Sequence, residues 1–241
     1  METYQTFLTR VSVFERDTLD LGKSYFKGKA SLAHKIDENN KLKDFFGDTI
    51  VFDLDFETKR KVNELVNDLY VTSPECFAER LCCDTLHMTL HDLSNSPCPN
   101  EISGAMEKNM AGVIERAPLV RDMKIKMRSN FIFNMVNTSI VLGLIPINED
   151  EHKKLMELYG LFDEVHKSDY PLTPHITLAY YSINGFDELS AKKLEAAVNI
   201  LNKKIKLDIE LDTNKLFYQR FTGMNKYRSF WNIGKNEKGS T

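Results

Sequence analysis

The phrase His-x-Thr-Leu occurs twice, as His87-Met88-Thr89-Leu90 and as His175-Ile176-Thr177-Leu178, each inside an apolar run rich in β-formers. Each run reads as a buried strand. Side chains alternate along a strand, so His and Thr two apart face the same way, about 7 Å from each other. Met88 and Leu90, or Ile176 and Leu178, then face a core. Each strand thus offers one imidazole and one hydroxyl to a common cleft. With 6 His, 15 Thr and 26 Leu in 241 residues, roughly 0.04 such matches are expected by chance. One match would carry no weight, but two in equivalent surroundings constrain the whole chain.

The order of elements repeats with the motif. A strand at 49–55 and a helix at 57–69, with Val62, Leu65, Val66 and Leu69 on one face, precede the His87 strand. A helix at 101–116 and two short strands, 123–128 and 131–136, follow it. The second round runs through a strand at 138–147, a helix at 149–165, the His175 strand, a helix at 186–202 and a strand at 206–212. A hairpin of 215–221 and 227–233 around Gly223 closes the chain. The expected fold is α+β and bilobal, built from a duplicated strand-helix-strand-helix-strand-strand unit. Its two mainly antiparallel sheets face a central groove, with the helices outside. The expected boundaries are a helical N-terminal extension at 1–47, a first lobe at 48–136 and a second at 137–241, all in one bilobal domain. Phe7, Val11 and Phe14 carry the helical spacing of the extension.

A formal charge of -3 argues against holding long duplex nucleic acid by bulk electrostatics, and leaves room for a small anion in a local pocket. Met1 to Arg10 has no apolar core for a signal peptide, and no stretch approaches the roughly 18 apolar residues of a spanning helix. Cys76, Cys82, Cys83 and Cys98 lack the paired spacing of a zinc site and read as reduced thiols. A cytoplasmic monomer without membrane association is expected.

Two imidazoles converging on one point suit general acid–base chemistry, because an unperturbed His titrates near 6.5 and one ring can be neutral while the other is protonated. Two hydroxyls beside them suit the non-bridging oxygens of a phosphoryl group. The paired His-x-Thr motifs, separated by a duplicated α/β unit, resemble the two-histidine (2H) phosphoesterase superfamily, which includes the 2′-5′ RNA ligase-like proteins and the cyclic phosphodiesterases. The resemblance spans most of 48–235 in element order, and the two motifs are its specific part. It implies His87 and His175 as the catalytic pair and Thr89 and Thr177 as phosphate binders. It also implies a reaction without metal or other cofactor on a 2′,3′-cyclic phosphate or 2′-5′ linkage of a nucleotide or RNA end, with 2′-5′ ligation as its reverse.

Some members of that superfamily place a basic residue after the second motif, whereas Ala179-Tyr180-Tyr181 stands here. By alternation, Tyr181 shares the face of His175 and Thr177, and His91 the face of His87 and Thr89, so both are expected to contact substrate. Lys124, Lys126 and Arg128 share one strand face, which ordinarily means a solvated one. Phe217, Tyr218, Phe221, Tyr227 and Trp231 make the last hairpin aromatic, for core packing or for stacking a base. His34, His152 and His166 read as surface residues. A metal site using His87 and His91 is rejected, since four residues along a strand span about 13 Å. A non-catalytic nucleotide- or RNA-binding module on the same fold is the alternative reading.

Overall fold

The computed structural model describes residues 2–15, 19, 21 and 25–239. Helix α1 (Tyr4–Ser12) opens the chain, with the Thr3 hydroxyl accepting from the Thr6 amide as its N-cap. Among the described residues, the rest of the expected helical extension is not α-helix. It holds strand β1 (Tyr25–Phe26), a short 3-10 turn at Ala30–His34 and the first residues of β2 (Asp44–Asp53). The cause is local, because the Asp37 carboxylate accepts from the Asn39 and Lys41 amides and turns the chain there.

Helix α2 (Phe56–Thr72) starts on the Asp55 carboxylate, which accepts from the Thr58 amide, and buries Val62, Val66 and Leu69. Strand β3 (His87–Ser96), helix α3 (Pro99–Arg116) and strand β4 (Lys124–Met135) follow. Ser129-Asn130 does not divide β4 as expected, and the strand absorbs the irregularity as a bulge between Ser129 and Ile132 against β5 (Ser139–Pro146). Asn148 and Asp187 cap α4 (Glu149–Asp163) and α5 (Glu188–Lys204), which flank β6 (His175–Tyr180) and β7 (Phe186–Asp187). Strands β8 (Asp208–Asp212), β9 (Leu216–Gly223), β10 (Lys226–Asn232) and β11 (Glu237–Lys238) complete the chain.

Apart from a small β1–β7 pair, all strands join one sheet in the order β11-β10-β9-β2-β3-β6-β5-β4-β8, antiparallel throughout. The two expected sheets are leaves of this one, joined between the motif strands by a single residue pair, Met88 with Ile176. Both side chains have no exposure, and truncating either to Ala should cost about 2–5 kcal/mol. The expected lobe boundaries are crossed. β4 belongs with β5 and β8, because a tight turn at Val136, Asn137 and Thr138 ties β4 to β5 as a hairpin, and β9 pairs with β2 in the other leaf. One apolar core runs through both leaves.

The first leaf is pinned by buried Asp48, which sits in the register gap between β2 and β3 and accepts from the Ser94 amide, the Asn109 amide group and the Tyr218 hydroxyl. Burial pushes its carboxyl above the usual range. No helix among the described residues is long and apolar enough to cross a membrane.

Candidate active site

Pairing of Met88 with Ile176 sets the register of what flanks it. In an antiparallel pair, His87 then stands across from Thr177, and Thr89 across from His175, on the face opposite Met88. The two histidines are diagonal neighbours, a relation that spaces residues by about 7–8 Å. All four side chains line one cleft of about 530 Å³.

Each imidazole is held in the same way. His87 Nδ1 lies 2.7 Å from the carbonyl oxygen of Thr85, and His175 Nδ1 lies 2.7 Å from that of Thr173. A carbonyl only accepts, so each Nδ1 carries the proton and each Nε2 presents its lone pair. The signal was present in the sequence, since both motifs extend backwards to Thr-x-His-x-Thr-Leu. It is easily passed over, because the histidine uses the backbone of that threonine and not its side chain. Burial lowers the proton affinity of both rings, and the carbonyls and the Asp92 carboxylate oppose it. Beyond that the rings differ: Asp53 raises His87 and the neighbouring His175 lowers it, while Lys35 lowers His175.

Directly after each threonine, both strands carry the same bulge. Opposite β2, Val51 faces Thr89 and Ile50 faces His91, which leaves Leu90 as the extra residue. Opposite β5, Val141 faces Thr177 and Ile140 faces Ala179, which leaves Leu178 as the extra residue. One extra residue inverts the alternation beyond it. Asp92 and Tyr180 therefore turn into the cleft, in the places expected of His91 and Tyr181.

Tyr181 is 0% exposed, packed among Phe26, Phe77 and Phe186 and absent from the cleft wall. His91 reaches the wall only as a buried ring, 2% exposed and stacked on Tyr159 at 4.9 Å, with Nδ1 on the Asp92 carbonyl oxygen. His152 is also buried, against Tyr4 and Phe7 of α1, contrary to the surface position expected.

The last hairpin divides its aromatics. Phe221 and Tyr227 line the cleft, and the Tyr227 ring meets His87 edge-on at 5.0 Å. Tyr218 instead serves the buried Asp48 cluster. Lys124, which pairs with Glu210, lies outside the cleft with Lys126 and Arg128. The cleft cations are Lys29 and Lys35, from the segment ahead of β2 that no motif marks. Two free Nε2 atoms, two hydroxyls and nearby ammonium groups are together able to hydrogen-bond an anion and to exchange a proton from either strand.

No protein-family model matches the chain, and no curated protein matches it in sequence. Among solved structures, a conserved protein of unknown function from Agrobacterium tumefaciens aligns over 90% of this chain and 97% of its own, with a TM-score of 0.69 and 12% identity. The two chains share a fold. E. coli LigT in its apo form aligns over 78% of this chain and 95% of its own, at TM-score 0.45 and 15% identity. A structure described as a phosphoesterase aligns over 78% and 93%, at TM-score 0.42 and 15% identity. At these identities the shared fold leaves the chemistry to be argued from the cleft.

Proposed function

We propose that this chain is a metal-independent two-histidine phosphodiesterase, opening a 2′,3′-cyclic phosphate or cleaving a 2′-5′ linkage of a nucleotide or RNA end. The observation that carries this reading is the register at Met88 and Ile176, which sets two identically anchored His-x-Thr pairs across from each other in one cleft. A phosphoryl group between them meets a hydroxyl donor on either side, from Thr89 and Thr177. One neutral Nε2 takes a proton from the attacking water as its oxygen bonds to phosphorus. The other, protonated, gives its proton to the departing ribose oxygen. Asp92 favours protonation of both rings, so the assignment rests on their other neighbours: His175, with Lys35 lowering its proton affinity, acts as the base, and His87, with Asp53 raising its own, as the acid. Burial lowers the proton affinity of both rings, and a phosphodiester anion bound between them favours uptake of the one proton the reaction needs.

The test is a panel of cyclic and 2′-5′-linked phosphodiesters, assayed with chelator present. His87→Ala and His175→Ala should each lose about 10²–10⁴ in turnover. The double variant should lose little more than the worse single, since the pair works on one proton path. Full activity in His87→Ala beside an inactive His175→Ala sinks the mechanism. A pure nucleotide binder would show no turnover in any variant while keeping its affinity.

A further inference from the structure

We propose that Lys35, contributed by the segment ahead of the first leaf, is the cation that receives the substrate phosphoryl group at the His175 side of the cleft. This rests on the reading of the cleft as a phosphoryl site. The sequence leaves that charge unassigned, because Ala179, Tyr180 and Tyr181, which follow the second motif, carry none.

Three observations converge on Lys35. Its backbone is fixed: the Lys35 amide donates to the Leu32 carbonyl, the Lys43 amide donates to the Lys35 carbonyl, and Leu32 and Ile36 on either side are buried. The ammonium lies over two rings, 5.3 Å from the Phe45 centroid and 5.2 Å from that of Tyr180. Rings hold a cation without neutralising it and leave its N–H donors free. Finally, among the described residues Lys35 makes no ion pair, whereas Lys59, Lys61, Lys124, Lys154, Lys192 and Lys226 each pair with a carboxylate.

The bulge after Thr177 makes this arrangement possible, because it turns Tyr180 to the cleft as the platform for the ammonium. The field of Lys35 reaches His175, whose proton affinity it lowers. One side chain therefore has two effects: it attracts the anion, and it keeps the ring beside it free to accept a proton. Lys29 lines the same cleft farther out on the exposed surface and adds to the positive field.

The experiment measures the affinity of the full-length protein for inorganic phosphate by calorimetry and the titration of the His175 ring by NMR, in wild type, Lys35→Met, Lys35→Arg and Lys124→Met. Lys35→Met should weaken phosphate binding about tenfold, the scale of one charge-assisted contact, and move the His175 midpoint upward. Lys35→Arg should restore most of the binding, and Lys124→Met should match wild type. Unchanged phosphate affinity and an unchanged His175 midpoint in Lys35→Met would overturn the proposal. If those results accompany inactive histidine variants, Lys35 is wrongly assigned and the phosphodiesterase reading stands. If Lys35→Met weakens phosphate binding while wild type turns over no phosphodiester, the anion site stands and the enzymatic reading falls.

Discussion

Outside the two motifs, Asp92 bears on both cleft histidines at once. Its carboxylate raises the proton affinity of both cleft histidines and accepts a hydrogen bond of 3.0 Å from the Tyr170 hydroxyl. Asp92→Asn removes that support, so both rings should titrate lower and the optimum of kcat/KM should move to lower pH. At neutral pH activity should drop by roughly threefold to tenfold, because less of the acid is protonated. A pH profile unchanged from wild type would remove Asp92 from the proton path. The same histidines bear on stability. Burial places their folded values below the unfolded one of about 6.5, so between the two the unfolded chain binds more protons. Their contribution to stability is complete above about 6.5 and is lost as pH falls through the folded values. Urea denaturation should show that slope in wild type, and the double variant His87→Asn/His175→Asn should flatten it.

Among the elements, the paired bulges and the β4–β5 turn do the most to shape the cleft. Val136 and Asn137 are the central residues of that turn, which the Thr138 amide closes on the Met135 carbonyl; their φ values of 45° and 60° are the positive ones such hairpin turns use. A β-branched residue is poorly suited there. Asn134 compensates, its side-chain carbonyl accepting from the Asn137 amide and its amide group donating to Asn137 Oδ1. Val136 is 62% exposed, so replacing it forfeits little burial. Val136→Asn should therefore stabilise the chain by about 1 kcal/mol, read as a higher urea midpoint with unchanged slope. Val136 also stands on the cleft wall. A stabilised variant with raised KM would place its isopropyl group against substrate, and a destabilised one would refute the strain argument. The bulges explain why strict alternation fails beyond each motif. Strict alternation selects His91 and Tyr181, and only cross-strand pairing reveals the extra residue that selects Asp92 and Tyr180 instead.

Taken whole, the molecule ties its N-terminal helix to the second histidine. Arg10 on α1 donates to the Thr173 hydroxyl at 3.0 Å and to the Leu172 carbonyl at 2.8 Å, while Glu2 grips its guanidinium from the other side. Thr173 is the residue whose carbonyl holds His175. Arg10→Ala should lower kcat about tenfold through a looser His175 ring, since small misplacements at a reacting centre are costly. KM and the thermal midpoint should change little, because Phe7 and Val11 still dock α1. An equal loss in Arg10→Ala of kcat and of folded protein would reduce the role to stability. His152 sits under the same helix, and burial lowers its proton affinity. Acid should therefore loosen α1 and the Arg10 brace together.

Local sequence determined the histidine and threonine pairs, the α+β class and most element positions, because those depend on short-range periodicity and on capping residues such as Asp55, Asn148 and Asp187. The tertiary structure alone decided three things. Strand exchange between the leaves followed from long-range pairing, which joins β9 to β2 across most of the chain and β4 to β8 past the whole His175 strand and its flanking helices. The bulges arose from unequal residue counts between partner strands, a property no single strand possesses. The charge in the cleft came from Lys35 because folding carried a distant segment over Tyr180 and Phe45, and an electric field depends on distance in space, not in sequence.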